Sequence, residues 1–183
     1  MFYRILSKLL DYPHEGLLDA LWEIRHRAAL GPEFETHERS VVAAFADYLE
    51  SRGLTEIQGD YVQTFDLTPE HALHLTHHLF GDDKNRGPAL IDLSEFFKEY
   101  GLEMSFTPGK TEEQREQSNE LPDYLPLMLE FAAHLEPHEA RVFLAQWSKV
   151  LGQLATNLEE AGSPHAPLIR LVEQRSQLVK AAA

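Results

Sequence analysis

The stretch FLAQWSKVLGQLATNL, residues 143–158, decides the fold class, because its large apolar side chains recur every three or four residues. This spacing places them on one face of an α-helix, with polar residues on the opposite face. The pattern predicts a helix over about 137–160 that packs one face into a core. The residues of this apolar stripe are Phe143, Trp147, Val150, Leu151, Leu154 and Leu158.

Helical spacing continues on both sides of this stretch, and no alternating pattern indicates strands. Proline and glycine mark the ends of the segments, as at Tyr12-Pro13 and Gly31-Pro32. We predict one all-α domain over residues 1–183, a bundle of about nine helices. The predicted helices cover about 2–11, 17–30, 41–52, 54–65, 69–81, 88–100, 123–134, 137–160 and 165–181.

A polar segment separates two blocks of these helices. Residues 103–120, EMSFTPGKTEEQREQSNE, have almost no apolar periodicity. A long stretch of this composition is typical of a loop, so we predict a mobile segment here.

The composition excludes several classes of function. The chain has no cysteine, which removes disulfides, thiolate metal sites and cysteine nucleophiles. The formal charge of −14 disfavours nucleic acid and anionic membranes as partners. Such a charge suits a cationic partner such as a basic peptide, although it also serves solubility alone.

The N-terminus predicts a folded helix rather than a targeting segment. MFYRILSKLLDYPHE lacks the long apolar stretch and the small-residue cleavage site of a secretory signal. No apolar run approaches the ~20 residues that a membrane-spanning helix needs. We therefore expect a cytoplasmic protein without membrane insertion.

Enzyme motifs are not found. Gly109-Lys110-Thr111 resembles the end of a phosphate-binding loop, but Met104 stands where the leading glycine belongs. No serine lies in a G-x-S-x-G turn. We expect a protein without catalytic activity.

Three histidines offer an alternative function as a metal-binding protein. His71, His74 and His78 are spaced i, i+3 and i+7, which would place three imidazoles on one face of the predicted helix 69–81. The neighbouring Asp82 and Asp83 lie past the helix end, and the HExxH motif is absent. Exposed or hydrogen-bonded histidines are the competing interpretation.

Two prolines flank a short polar motif in NELPDYLPLMLEF, residues 119–131. Proline is tolerated in the first turn of a helix, whose amides have no intrahelical partner. We predict that Asp123 is the N-cap and that Pro126 falls at the third helical position. Pro122 and Pro126 would then hold Asp123 and Tyr124 rigidly at the helix start.

Four stretches give the chain a resemblance to a known family. They are LSKLLDYP (6–13), YVQTFDL (61–67), LHLTHHLFGDDKNRG (73–87) and ELPDYLP (120–126). With them the chain resembles the NarJ family of nitrate reductase assembly chaperones, within the TorD/DmsD-like redox-enzyme maturation group. Thr64 replaces the leucine of that group's Y-x-x-L-F motif. Tyr124 replaces the histidine of its E-x-P-x-D-H motif, with a spacing one residue shorter.

The resemblance implies a TorD-like, cytoplasmic, all-α chaperone without a cofactor of its own. Its partner would be the N-terminal segment of the nitrate reductase α subunit, a remnant twin-arginine leader. The chaperone would hold the apoenzyme while the molybdenum cofactor and an iron–sulfur cluster are inserted. Molybdenum cofactor delivery proteins are possible further partners.

We expect the peptide to bind where these motifs meet. Tyr61, Phe65 and Leu125 would line an apolar floor, unless the Tyr61–Phe65 pair is simply core. An acidic rim would consist of Asp66, Glu120 and Asp123, with Asp123 accepting an arginine or lysine of the peptide.

The histidines add an expected pH response. Protonation of His74, His77 and His78 would weaken the binding of a basic peptide at pH 6 relative to pH 8. The remaining predicted contacts are Arg86, Leu121, Pro122 and Tyr124. A generic helical scaffold without selectivity for basic peptides is the third alternative.

Overall fold

A computed structural model describes residues 1–81, 84–101 and 120–177 of the chain. Within these ranges there are ten α-helices and no β-strand, so the predicted all-α fold is confirmed. The polar segment predicted at about 103–120 lies, apart from Glu120, outside the described residues. The α-helices are α1 Phe2–Leu10, α2 Glu15–Leu30, α3 Thr36–Glu50, α4 Leu54–Tyr61, α5 Leu75–Phe80, α6 Arg86–Glu99, α7 Leu125–Ala132, α8 Pro137–Ala145, α9 Ser148–Glu160 and α10 Ala166–Gln177.

One apolar cluster forms the core, and each of the ten helices contributes at least one buried side chain to it. The apolar face of α1 packs on α7, where the Ser7 hydroxyl donates a hydrogen bond of 2.8 Å to the Pro126 carbonyl. Helix α10 packs along α9. In the described ranges, no helix is both long and apolar enough to cross a membrane.

The predicted helix 137–160 is two helices, so this prediction was wrong in extent. The chain tightens at Gln146 and Trp147, whose amides donate to carbonyls only three residues earlier. No proline or glycine marks the break. The bend places Phe143 in an aromatic cluster with Phe96 and Phe131, at ring distances of 5.7 and 5.0 Å, while α9 faces α10.

The predicted helix 69–81 is also interrupted. Pro69–His71 form a single 3-10 turn, and α5 begins only at Leu75. Thr68 precedes the turn, but its hydroxyl donates to the Gln63 carbonyl at 2.9 Å instead of capping it. Residues 72–74 leave the helical conformation because their backbone pairs with another segment, described below.

The fourth predicted helix does not remain α-helical to its predicted end. Helix α4 passes into a π-helical turn, Val62–Asp66, in which the Leu67 amide donates to the Val62 carbonyl five residues earlier. Such turns are rare and frequently lie at functional sites. This one contains the Tyr61–Phe65 motif.

A buried ion pair joins α10 to the start of α3. The Arg175 guanidinium donates from Nε to Glu38 Oε1 at 2.8 Å and from Nη2 to Glu38 Oε2 at 2.7 Å. Nη2 also reaches the Glu33 carbonyl, and the guanidinium lies 4.1 Å from the ring centre of Phe2. These contacts connect residues that are 137 and more positions apart in the sequence.

Candidate functional site

The candidate site begins with a backbone pairing between two helix starts. His74 and Tyr124 form an isolated antiparallel bridge. The Leu75 amide donates to the Asp123 carbonyl at 3.0 Å, and the Leu125 amide donates to the Leu73 carbonyl at 2.9 Å. The pairing satisfies a first-turn amide of α5 and of α7 and brings two of the recognised motifs into contact.

The side chain of Asp123 is fully buried beside this bridge. Its Oδ2 accepts hydrogen bonds from the amide and the hydroxyl of Thr76, and His74 Nδ1 lies 3.2 Å from Oδ1. Arg86 Nη2 lies 3.7 Å from Oδ2, while Arg86 Nε donates to the Thr76 hydroxyl at 3.1 Å. Burial alone would raise the pKa of Asp123, but the hydrogen bonds from His74 and Thr76 hold it below its ordinary value.

Two predictions for Asp123 were therefore wrong. Helix α7 begins at Leu125 with Tyr124 as its N-cap residue, so Asp123 does not cap its own helix. Its carboxylate serves the Thr76 amide in the first turn of α5 instead. The carboxylate also lies inside the protein and not at an exposed rim. Since a buried charge must be satisfied, its hydrogen bonds come from donors of the protein itself.

A second contact joins Tyr124 to the π-helical turn and to α1. The hydroxyl oxygens of Tyr61 and Tyr124 are 2.7 Å apart. Tyr61 donates to the Leu10 carbonyl at 3.1 Å and Tyr124 donates to Asp11 Oδ1 at 3.1 Å, so the two hydroxyl protons are shared among these two contacts and the one between the hydroxyls. Burial raises the pKa of both tyrosines.

Aromatic rings enclose the other side of Tyr61. The ring of Phe65 lies 4.8 Å from that of Tyr61. His165, which the sequence analysis missed, lies 4.8 Å from Phe65 and 5.0 Å from Phe45. Burial lowers the pKa of His165 to about 4, which keeps the imidazole neutral. No local sequence signal reveals this, because the contacts span about a hundred residues.

The predicted apolar floor is buried core, which is the alternative left open above. The exposed fraction is less than a tenth for Tyr61, Phe65 and Tyr124, and Leu125 is not exposed. Pro122 is buried as well. Large apolar groups at i and i+4 bury more area when they face inward, and here Tyr124 contacts Tyr61 while His165 contacts Phe65.

Three carboxylates act electrostatically on the buried hydroxyl of Tyr61. The negative charges of Asp11, Asp66 and Glu120 each add to the raised pKa of Tyr61, after burial itself. All three are exposed, and within the described ranges none forms an ion pair. Asp66 and Glu120 were predicted, whereas Asp11 was missed although it lies in the LSKLLDYP motif.

The three histidines of the metal alternative do not share one helix face. His71 ends the 3-10 turn, His74 precedes α5 and only His78 lies within it. His78 Nε2 is 2.7 Å from the Ala72 carbonyl, and burial lowers its pKa. Among residues 1–81, 84–101 and 120–177, no group of three histidine or acidic side chains is arranged to hold a metal ion. The geometric premise of that alternative was wrong.

Comparison with known proteins identifies the class of this chain. The family model described as "Nitrate reductase delta subunit" matches residues 32–170. The chain belongs to this family, and the resemblance predicted from the four motifs is confirmed.

Three relatives are similar to this chain over most of its length. The chain is 29% identical over 168 residues to the "Nitrate reductase molybdenum cofactor assembly chaperone NarJ" of Escherichia coli (strain K12), covering 92% of this chain and 66% of that protein. It is 32% identical over 173 residues to the "Probable nitrate reductase molybdenum cofactor assembly chaperone NarJ" of Bacillus subtilis (strain 168), covering 93% and 85%. A "Nitrate reductase-like protein NarX" of Mycobacterium tuberculosis (strain ATCC 25618 / H37Rv) is 30% identical over 170 residues, 23% of its length. The first two are named as chaperones and not as enzymes, in agreement with the prediction of a non-catalytic protein.

Proposed function

We propose that this protein is a cytoplasmic chaperone for the assembly of a respiratory nitrate reductase. It binds the leader-like N-terminal segment of the α subunit and holds the apoenzyme while the molybdenum cofactor and the iron–sulfur cluster are inserted. It needs no cofactor of its own for this role. Molybdenum cofactor delivery proteins are the further partners that this role implies.

The carboxylates near the Tyr61–Tyr124 contact, which form no ion pair within the described residues, are the observation that carries this proposal. Asp11, Asp66 and Glu120 come from three separate segments; Asp11 accepts a hydrogen bond from Tyr124, and all three act electrostatically on Tyr61. An exposed carboxylate without a cationic partner among the described residues is free to meet a cation of another molecule. Opposite charges across an interface fix orientation and speed encounter, which suits a basic peptide.

Exposed apolar side chains next to the rim support an amphipathic ligand. Leu67 follows Asp66 and is 64% exposed, and Leu121 follows Glu120 and is 41% exposed. An amphipathic helix binds through apolar contacts, with charged residues at their edge. Leu67 and Leu121 are the apolar contacts that we assign, in place of the buried Tyr61, Phe65 and Leu125.

The buried members of the predicted site act as supports in this proposal. Asp123, His74 and Arg86 hold the 120–125 segment against the start of α5. Tyr61 and Tyr124 hold the same segment against α1 and the π-helical turn. Their contribution to affinity comes from positioning Asp66, Glu120 and Leu121, because Asp123, Tyr61 and Tyr124 are covered and the half-buried His74 and Arg86 lie beside Asp123.

Calorimetric titration with a synthetic N-terminal peptide of a nitrate reductase α subunit tests this function. A scrambled peptide of equal composition is the control for charge alone. Selective binding of the native order is expected. Equal affinity for the two peptides would contradict the proposal and leave the generic scaffold as the better description.

A double variant locates the peptide at the rim. Asp66→Asn with Glu120→Gln removes two rim charges and should weaken binding about tenfold, since each exposed pair contributes up to ~1 kcal/mol. Asp92→Asn with Glu95→Gln makes the same change of net charge on the exposed face of α6. This control should bind within about twofold of the unaltered protein. Equal losses in both double variants would mean that only net charge matters.

A further inference from the structure

A polar cleft between α1 and α2 lies outside the predicted site. It encloses about 400 Å³ and is lined by both helices and by Glu130 of α7. Arg4 and Lys8 line it from α1, at positions i and i+4, and Asp11 lines it directly after the end of α1. Residues at this spacing lie on one face of a helix, so the wall presents two cations followed by an anion.

The two cations of this wall have no ion-pair partner among the described residues. Neither Arg4 nor Lys8 forms a side-chain hydrogen bond or an ion pair in the described ranges, and both are exposed. Several arginines elsewhere form ion pairs at the surface, as Arg52 does with Glu56 and Asp60. In a chain with a formal charge of −14, Arg4 and Lys8 place two cations beside each other at one cavity.

The remaining polar groups of the cleft do not neutralise this pair by contact. Glu130 lines the opposite wall without forming an ion pair with Arg4 or Lys8. The Ser7 hydroxyl is already used by the Pro126 carbonyl. His14 adds an imidazole at the start of α2.

Asp11 connects the cleft to the candidate site. Its side chain lines the cleft and also accepts a hydrogen bond from Tyr124, which contacts Tyr61. A ligand at the acidic rim that extends past Asp11 along α1 would meet Lys8 and then Arg4. Along this path the charge is negative at the rim and at Asp11 and positive at Lys8 and Arg4.

We propose that the cleft is a subsite for an acidic side chain of the client peptide, whose carboxylate binds Lys8 and Arg4 while a neighbouring basic residue binds Asp11. The proposal rests on the proposed function and adds a selectivity rule to it. Asp11, in extended backbone just past α1, follows Lys8 by three residues, and three residues span about 5 Å in a helix and about 10 Å when extended. The client segment must therefore carry opposite charges about 5–10 Å apart, in a fixed order.

Charge reversal at Lys8 tests the subsite. Lys8→Glu should weaken binding of the native α-subunit peptide about fivefold, as expected for exchanging an exposed attraction for a repulsion. Lys98→Glu is the matched control, because Lys98 is also exposed and also lies in the last turn of its helix. It should change binding less than twofold. Arg4→Glu gives a second reading from the middle of α1, and circular dichroism checks that each variant is folded.

Peptide variants complete the test. A peptide with its acidic residues changed to Asn and Gln should bind the unaltered protein about fivefold more weakly and should not be further weakened by Lys8→Glu. A peptide with those residues changed to lysine should prefer Lys8→Glu. Equal behaviour of Lys8→Glu and Lys98→Glu toward the native peptide would overturn the subsite alone. Failure of the unaltered protein to bind any of the peptides would overturn the proposed function together with it.

Discussion

Two buried carboxylates join distant parts of this molecule, and they are satisfied in different ways. Glu38 is held by two charged hydrogen bonds of 2.7 and 2.8 Å from one guanidinium. Asp123 is held by neutral donors of Thr76, with His74 at 3.2 Å and Arg86 only at 3.7 Å. The first contact joins α10 to α3, and the second holds the candidate site.

This difference indicates that the Glu38 contact is firm and that the Asp123 contacts rearrange more easily. A bidentate arginine contact is strong, directional and always charged. The Asp123 contacts come from the neutral donors of Thr76, from a histidine and from an arginine whose nearest nitrogen is 3.7 Å away. We infer that the core is held more firmly than the segment 120–125, which suits a site that receives a ligand.

The largest effect is expected for Glu38→Gln. The variant leaves the guanidinium of Arg175 without its counter-charge in a mostly buried position, which should cost about 3 kcal/mol of unfolding free energy. Chemical denaturation measures this, with Glu95→Gln on exposed α6 as the control. Peptide affinity of the folded protein should not change. If Glu38→Gln lost less unfolding free energy than Asp123→Asn, the Asp123 contacts would be the stronger of the two.

Asp123→Asn should cost about 2 kcal/mol at pH 7 and should also weaken peptide binding. The pKa of Asp123 is below its ordinary value when folded. Its stabilisation is therefore present above the unfolded pKa of about 3.9 and is lost as the pH falls through the folded value. Denaturation curves from pH 7 to 3 should show the gap to Asp123→Asn closing below about pH 4. The exposed Asp92→Asn serves as the control; a gap independent of pH would contradict the assignment.

Tyr124→Phe removes one hydroxyl and keeps the ring. The contacts to Tyr61 and Asp11 are lost together, so we expect a loss of about 1 kcal/mol in unfolding free energy. Tyr100→Phe is the control, because Tyr100 is 45% exposed. If both variants are equally stable, the hydroxyl network does not hold the 120–125 segment.

The smallest effect is the pH dependence of peptide affinity. His74 lies beside Asp123 and Arg86, where a positive charge on its ring would repel a basic peptide, so we predict binding about twofold to threefold weaker at pH 6 than at pH 8. Titrations at both pH values measure this ratio. His74→Gln should abolish the difference, and His138→Gln on exposed α8 should retain it. An unchanged ratio in His74→Gln would mean that another group titrates.

Local periodicity predicted the helical fold but not its breaks. Apolar spacing determines which face is buried, and prolines and glycines mark ends, so α1 and α2 lie close to their predicted limits, whereas α3 begins at Thr36, before its predicted start at about 41. The breaks at Trp147 and at residues 72–74 have no such mark. They result from the aromatic packing of Phe143 and from the pairing of His74 with Tyr124, which are tertiary contacts.

The same limit applies to the candidate site. The motifs indicated which segments matter, since 61–66, 73–76 and 120–125 do meet. The sequence did not indicate that Asp123 points inward, because its partners His74 and Thr76 lie 47 to 49 residues away. Asp11 and His165 were missed for the same reason.

The antiparallel bridge gives this helical protein two built-in reporters of local opening. The amides of Leu75 and Leu125 are first-turn amides, which ordinarily exchange with solvent hydrogen quickly because helices leave them unbonded. Here each donates across the bridge. Their deuterium uptake therefore measures how often the 120–125 segment separates from α5, independently of global unfolding. A bound client should slow both amides together.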